Sequence, residues 1–244
     1  MLAQVRERSK IEVATLPGMF GVSPETVRRD LHVLEAQGLV KRSYGLVYAV
    51  ESGTFETDLR ERAETNAEEK ARIAEAAVAC LGEAQSLFID EGYNTQLIAR
   101  SLPEGRPLTV VTASVPVALI LVNRLNMRLI LLGGRLRPNT LGIVDAWASD
   151  QLGNLTVDLA FMGANAVSID RGMSTPDPAV AVIKRAAMRA AIRRVFIGAH
   201  HKFGLASFVR FADVSDFEVL ITGRELSAAK AQAFRSAGVH LVRV

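Results

Sequence analysis

From residue 70 to the C-terminus, short apolar runs of strand length alternate with stretches of helical periodicity, and this alternation constrains the fold more than any other feature. The apolar runs fall at residues 86–89, 108–112, 128–132, 158–163, 194–198, 217–222 and 239–244. Helical patterns lie at 70–80, 95–102, 115–125, 146–155, 178–191 and 227–237. Strands this short and this continuously apolar must be covered on both faces, which predicts an α/β domain built on a mostly parallel sheet. Residues 1–50 have a different texture of short amphipathic pieces with turn signals, and residues 51–69 are polar and charge-dense. The expected organisation is a small domain over 1–50, a partly helical connector over 51–69, and the α/β domain over 70–244.

Composition agrees with a folded protein. Hydrophobic residues make up 49% and charged residues 23% of the 244 positions, which excludes wholesale disorder. The uncharged run over 107–123 is broken by Thr109, Thr112, Ser114 and Pro116. It falls short of the roughly 20 apolar residues that a bilayer span needs. Arg6, Glu7, Arg8 and Lys10 leave no apolar signal stretch at the start. The single cysteine, Cys80, excludes an internal disulfide and a thiolate metal cluster. A soluble, cytoplasmic protein with no membrane partner is expected. Net charge is only +3, but residues 178–212 hold seven basic side chains and no acidic one. That bias suits either an anionic partner or a solvated helix face.

The most informative local run is Gly21-Val22-Ser23-Pro24-Glu25-Thr26-Val27-Arg28-Arg29-Asp30-Leu31. Ser23 is a good N-cap, Pro24 fits the first helical position, and Glu25 suits the positive end of the dipole. Val27, Leu31 and Leu34 make one buried stripe, and Gly38 ends the helix. The exposed N-terminal half then carries Pro24, Glu25, Thr26, Arg28 and Arg29, in the manner of a helix that enters a major groove. Residues 39–48 read as two short strands about a turn, a wing whose Lys41 and Arg42 suit a phosphate track.

The pattern Val22-Ser23-x-x-Thr26-Val27-Arg28-Arg29-Asp30-Leu31-x-x-Leu34-Glu35-x-x-Gly38 resembles the winged helix-turn-helix of the DeoR family of bacterial transcriptional regulators. The resemblance implies that the helix after Ser23 is the recognition helix, with Ser23, Thr26, Arg28, Arg29, Lys41 and Arg42 as the DNA-binding residues. Three departures stand out. The chain is expected to open at Met1 partway through the family's first helix. Pro17-Gly18 falls inside the helix expected between Glu12 and Phe20. An interior proline there costs about 3 kcal/mol, a penalty that largely vanishes in the first turn. Gly45-Leu46 stands where the family carries a glycine pair.

In the second half, Ser86-Leu87-Phe88-Ile89 leads through Asp90-Glu91-Gly92-Tyr93-Asn94-Thr95 into a helix. A helix N-terminus after a glycine-containing loop favours an anion. Asn94 and Thr95 add hydrogen bonds there, and Asp90 suits a sugar hydroxyl. Thr112-Ala113-Ser114 and Gly133-Gly134-Arg135 end the next two strands, and such loops are expected to converge on a ligand. Lys184 and Lys202 can supply charge to a phosphate. No P-loop spacing and no dinucleotide fingerprint occurs, so no cofactor is expected. Adjacent Asp90 and Glu91 diverge if the turn is extended, so capping or solvated roles are expected of them. His200-His201 lacks the spacing of a helical metal pair, and no metal is expected. Cys80 reads as a small packed hydrophobe.

This half resembles the same family's sugar-phosphate sensor domain, through Asp90-x-Gly92-x-x-Thr95, Thr112-x-Ser114, Leu132-Gly133-Gly134, Asp158-x-Ala160-Phe161-x-Gly163, Gly172-x-x-Thr175, Lys184 and Lys202-Phe203-Gly204. The resemblance implies a Rossmann-like domain related to ribose-phosphate isomerases. It assigns Asp90, Gly92, Asn94, Thr95, Thr112, Ser114, Gly133, Gly134, Arg135, Lys184 and Lys202 to the effector. Ala199 stands where the family usually has aspartate. The expected function is a transcriptional regulator, more a repressor than an activator, of a carbohydrate-utilisation operon. Its expected partners are double-stranded operator DNA, a phosphorylated sugar and a second copy of itself. The alternatives are a sugar-phosphate isomerase-like enzyme and a sensor whose reader does not grip DNA.

Overall fold

The computed structural model describes residues 1–8, 10–36, 39–49 and 59–244. In the N-terminal part, α1 (Leu2–Arg8) is followed by β1 (Lys10–Glu12), α2 (Leu16–Phe20), α3 (Pro24–Ala36), β2 (Val40–Ser43) and β3 (Leu46–Ala49). A helix therefore does precede the Lys10 segment, and its Val5 is fully buried. Val5, Ile11, Leu16, Val27, Leu31, Val40, Val47 and Ala49 form one small core. Pro17 lies in the first turn of α2, where it costs little, and Gly21 ends that helix at φ 63°. The sheet order is β1-β3-β2, all antiparallel. The β2–β3 hairpin closes on Tyr44 and Gly45, at φ 49° and 77°. Both central residues need positive φ in such a tight turn, so Gly45 meets a backbone demand. Gly38, read as the stop of α3, lies outside the described residues.

Two helices begin the second part, the short α4 (Leu59–Glu64) and the longer α5 (Ala67–Ala79). Then come β4 (Ser86–Ile89), α6 (Tyr93–Ser101), β5 (Leu108–Thr112), α7 (Val115–Leu121) and β6 (Met127–Leu131). A two-stranded ribbon, β7 (Arg135–Leu136) with β8 (Ile143–Val144), precedes α8 (Ala146–Gly153) and β9 (Val157–Met162). The chain continues through β10 (Ala166–Ser168), β11 (Gly172–Thr175), α9 (Pro178–Ala190) and β12 (Ala191–Ile197). It finishes with β13 (Val209–Ala212), β14 (Val219–Thr222), α10 (Ala228–Ser236) and β15 (Leu241–Arg243).

Seven strands make one parallel sheet in the order β15-β14-β12-β9-β4-β5-β6. Every predicted apolar run contributes a strand to it. Side chains alternate between two cores. Ile73, Ile98, Val117 and Leu121 bring α5, α6 and α7 to one face. Leu152, Ala187 and Phe234 bring α8, α9 and α10 to the other.

Boundaries shift where local chemistry outweighs pattern. Helix α9 runs directly into β12 at Ala191, earlier than residue 194, because Ala191–Arg194 pair with Val157–Ala160 of β9. Helix α7 stops at Leu121, where a turn leads to Asn126 at φ 63°. The three-stranded antiparallel sheet β10-β11-β13 lies outside the sequence expectation. Its strands are three or four residues long, too short to show a period. No helix among the described residues is long and apolar enough to cross a membrane.

Candidate functional site

Chain order along the parallel sheet reverses between β4 and β9: β5 and β6 lie on one side, β12, β14 and β15 on the other. In open α/β sheets that reversal leaves a crevice outside the carboxyl ends of the two central strands. Here it is a cleft lined by the β4–α6 loop (Glu91, Gly92, Tyr93, Asn94, Thr95) and the β9 exit (Gly163, Ala164, Asn165). Arg62, Lys70, Lys184, Ile197 and Lys202 complete the wall, and the space amounts to about 480 Å³ counted to its open mouth.

Gly92, at φ 125°, is the N-cap of α6 and offers no side chain to the first turn. The Thr95 hydroxyl donates back to the Gly92 carbonyl at 2.8 Å. The first-turn N–H groups of α6 therefore face the cleft as a site of positive potential. Lys70 lies 4% exposed, with its ammonium 5.6 Å from the centroid of the Tyr93 ring. Lys202 Nζ donates to the Ala164 carbonyl at 2.8 Å. Lys184 Nζ donates to the Gly163 carbonyl at 3.0 Å and pairs with Asp90. Four basic side chains and one helix terminus thus line the same cleft.

The two adjacent carboxylates do diverge, but neither is solvated. Asp90 is 1% exposed, sits behind the cleft wall, and accepts from the Gly163 N–H at 2.9 Å as well as from Lys184. Glu91 pairs with Arg137 at 3.1 Å and accepts from the Thr140 hydroxyl at 2.7 Å. Arg137 also reaches Asp177, the N-cap of α9, at 3.0 Å. This network pins the β4 loop to the β7–β8 ribbon.

Of the residues assigned to the effector from sequence, Gly92, Asn94, Thr95, Lys184 and Lys202 meet in this cleft. Asp90 supports it from behind. The remaining five lie outside its lining, because the loops after β5 and β6 are on one side of the reversal. The Thr112 hydroxyl donates to the Ile89 carbonyl at 2.6 Å and braces the end of β4. Ser114 caps α7 through the Val117 N–H. The Gly133 N–H donates to Gln151 at 3.2 Å. A Cβ on Gly134 would lie 2.4 Å from the Val144 carbonyl oxygen, so that glycine serves the ribbon. Arg135 pairs with Asp145 at 2.9 Å. Sequence reasoning missed Arg62, Lys70, Tyr93 and Asn165. For Lys70 a signal existed: it occupies the apolar stripe of α5 with Ile73, Ala74 and Ala77, all buried. Most of the basic run 178–212 is engaged locally, Arg193 by Glu218 at 2.8 Å and Arg194 by the Met188 carbonyl at 2.7 Å.

Near the cleft, Glu69, His200 and Glu225 place possible metal-ligand atoms within 4.8 Å of one another. They are already occupied: Glu69 accepts from the His200 N–H at 2.7 Å and meets its Nδ1 at 2.8 Å, and Glu225 holds Arg72 at 2.6 Å. Burial pushes the Cys80 thiol up, away from reactivity.

In the N-terminal part, the Thr26 N–H donates to Ser23 Oγ at 3.1 Å, which caps α3. Pro24, Glu25, Thr26, Arg28 and Arg29 are exposed, while Val27 and Leu31 are buried. Among the described residues Arg28 makes only an exposed pair with Glu25 at 3.3 Å, and Lys41 is exposed on the wing. Arg42 differs. Its guanidinium clasps Glu35 at 2.6 and 2.9 Å while its N–H donates to the same carboxylate at 3.1 Å. Those bonds hold the Glu35 carboxyl below its usual range and tie the wing to α3.

Residues 1–52 match the DeoR-like helix-turn-helix domain, and residues 65–224 match the DeoR C terminal sensor domain. The chain is 34% identical to the HTH-type transcriptional regulator GlpR of Haloferax volcanii, over 94% of this chain and 90% of that one. It is 29% identical to the glycerol-3-phosphate regulon repressor of Escherichia coli (strain K12), over 89% of this chain and 86% of that one. Ribose 5-phosphate isomerase A from Methanocaldococcus jannaschii aligns with 57% of this chain and 55% of its own, at a TM-score of 0.43 and 16% identity, too slight a likeness to carry function.

Proposed function

The chain belongs to the DeoR family of transcriptional regulators, and from that premise we propose that it represses a carbohydrate-utilisation operon under the control of a phosphorylated sugar. The observation that carries the ligand class is the cleft between β4 and β9, where Lys70, Lys184, Lys202 and Arg62 surround the uncapped start of α6. A phosphate accepts hydrogen bonds from the first-turn amides and from the ammonium groups at once. Asn94 and Asn165, in the same wall, suit sugar hydroxyls. Its relatives include a repressor of a glycerol-3-phosphate regulon, which fits a phosphorylated polyol or sugar here.

In the reader, Thr26 faces base edges while Arg28, Arg29 and Lys41 hold phosphates, with Ser23 fixing the start of the helix. Arg42 acts indirectly by setting the wing against α3. Two copies of the chain, one reader each, suit a two-fold operator. Control follows from linkage: a ligand that prefers one arrangement of the protein shifts operator affinity, and a factor of about 100 needs about 2.7 kcal/mol. We read the cleft as a binding site and not a catalytic one. Asp90 is held by Lys184, Glu91 by Arg137, and Ala199 replaces the family's usual aspartate.

Calorimetric titration of the full chain with pentose and hexose phosphates, each beside its unphosphorylated sugar, tests this reading. At least one phosphate is expected to bind, with its parent sugar much weaker and with no turnover. Binding of the parent sugars alone, or isomerisation of a phosphate, would overturn it.

A further inference from the structure

The uncharged run over 107–123 contributes nothing to the cleft lining; the fold places it at one edge of the parallel sheet. It supplies β5 and helix α7, whose sequence Val-Pro-Val-Ala-Leu-Ile-Leu carries no charge on any side. Val117, Ala118 and Leu121 are buried, but Leu119 is 70% exposed, Val122 is exposed, and Leu125 in the following turn is 85% exposed. A helix that is apolar all round belongs in a buried setting. We infer that α7 and the neighbouring edge strand β6 form an interface between two copies of the chain, their β6 strands pairing antiparallel across a two-fold axis at Leu129. The two-copy reading above leaves the face open; this inference names it from the surface itself.

The two edges of the sheet, β15 and β6, are finished differently. Strand β15 has three residues, and its Arg243 reaches back to the Arg224 carbonyl at 2.6 Å. Strand β6 has five, Met127-Arg128-Leu129-Ile130-Leu131, in unbroken register with β5, without proline and with Arg128 as its one charge. Edges that stay unpaired are usually blunted by shortness, charge, proline or a bulge. Pairing with β5 fixes which backbone groups of β6 face out. The Asn126 carbonyl accepts from the Leu108 N–H at 3.2 Å, and the Leu132 N–H donates to the Thr112 carbonyl at 3.0 Å. Residues 126, 128, 130 and 132 thus turn their backbone groups to β5, while Met127, Leu129 and Leu131 turn theirs outward. No other described strand pairs with them.

A second copy fits that edge by symmetry. With Leu129 on the axis, Leu129 faces its counterpart and Met127 of one copy faces Leu131 of the other, and each facing pair exchanges both hydrogen bonds. Met127 and Leu129 pack on the α5–α7 side of the sheet, and Leu131 shares that side by the strand period. The two copies therefore join these side chains in one apolar row, flanked by Leu119 and Val122 of each α7. Arg128 falls on the other side of the sheet, across from Ile130 and not from its own counterpart, so no like charges are directly opposed. Arg124 is turned inward, donating to the Leu102 and Arg100 carbonyls at 2.7 and 2.5 Å. A charged partner finds little to pair with here, whereas a copy of the same neutral surface matches it. Just past β6, Gln151 Nε2 donates to the carbonyls of both Gly133 and Trp147, at 3.4 and 3.1 Å, which sets Trp147 beside the end of the strand. Trp147 is 76% exposed, and tryptophan is a residue type that anchors interfaces.

The test is sedimentation equilibrium of the full chain without DNA, with hydrogen exchange read over residues 127–131. The variants are Met127→Lys/Leu131→Lys, which sets like charges face to face, and Met127→Lys/Leu131→Glu, which sets opposite charges at the same positions. Phe208→Lys, at an exposed apolar residue just before β13, is the control. Leu129→Pro removes an outward N–H, which an edge strand tolerates, and leaves the ladder to β5 intact. Circular dichroism checks that each variant folds. The wild-type chain is expected to dimerise, with slower exchange over 127–131 in the dimer than on dilution. The Lys/Lys variant should raise the dimer dissociation constant about 100-fold or more, the Lys/Glu variant should recover most of that loss, and the control should change nothing. Leu129→Pro should also weaken the dimer, and it decides the matter if the Lys/Lys variant does not fold. Folded Lys/Lys or Leu129→Pro chains that dimerise like the wild type, or a folded Lys/Glu chain that recovers nothing, would overturn this interface and leave the two-copy reading standing. A wild-type chain that stays monomeric at every concentration would overturn both and leave the face to a different partner.

Discussion

The recognition helix and the cleft both present basic side chains, but they are built in opposite ways. On α3, Arg28 and Arg29 are neighbours in sequence, exposed, and placed by a stripe of Val27 and Leu31 on the other side of the same helix. In the cleft, Arg62, Lys70, Lys184 and Lys202 come from α4, α5, α9 and the segment after β12. Lys70 and Lys184 are each 4% exposed. On the function proposed above, the helix displays charge to a large anion that comes to it, and the cleft stores charge for a small anion that must enter. Charge on the helix is thus separable from stability, whereas charge in the cleft is part of what the domain needs to fold.

That difference sets an order of expected effects. Lys184→Met should be the most damaging, because it strands the Asp90 carboxylate, 1% exposed, without its cation. Breaking a buried pair from one side costs about 3–5 kcal/mol. Urea unfolding of the variant checks this, and adding Asp90→Asn should recover part of the loss. If Lys184→Met unfolds like the wild-type chain, the claim of structural charge in the cleft fails.

Asp158 comes next. It binds the start of β9 to the start of β4 by accepting from the Gln85 N–H at 2.9 Å and from Ser86 N–H and Oγ at 2.8 Å. Chiefly the Gln85 amide, with both Ser86 donors, holds this carboxyl below its usual range. A group whose folded pKa is depressed stabilises above its unfolded value, about 3.9, and loses that contribution as pH falls through the folded pKa. Asp158→Asn should cost about 1–2 kcal/mol at neutral pH, and the gap from wild type should narrow as pH falls below the unfolded value and through the folded one. Unfolding curves at several pH values check both parts.

On the reader side, Arg28→Ala and Arg29→Ala should leave the unfolding midpoint unchanged. On the proposed reading each substitution takes one cation from a DNA phosphate, which should weaken operator binding and lower the salt slope by about 1. Anisotropy at a series of salt concentrations measures it. A fall in stability with unchanged DNA affinity would erase the contrast between the two regions. Smallest is Ser23→Ala, which removes the cap of α3 and should cost about 1 kcal/mol. Thermal unfolding followed by circular dichroism would detect it.

The same contrast explains what the sequence made legible. The reader is a local device: cap, stripe, exposed basic pair and wing lie within a few turns of chain, so their residue types alone carry the reading. Sheet strands were equally local, since each is a continuous apolar run. The cleft is not local. Strand order decides which loops border it, and order depends on crossovers that no apolar run records. That is why Gly92, Thr95 and Lys184 arrive together while Thr112, Gly133 and Arg135 turn to bracing and to the ribbon. Arg42 was readable as basic, but its clasp on Glu35 depends on how the hairpin folds back against α3. Lys70 and Lys184 did leave a trace, each a lysine within the apolar stripe of its helix.

Regulation by this chain requires one link, between an anion in the cleft and DNA on the reader. Its most direct test is operator affinity by anisotropy, titrated with the sugar phosphate that calorimetry shows to bind, for the wild-type chain and for Lys202→Ala. The expected result is a change of about 100-fold in the wild-type chain and, in Lys202→Ala, the same response only at much higher ligand concentration. Operator affinity that is indifferent to a bound sugar phosphate in the wild-type chain would contradict the link.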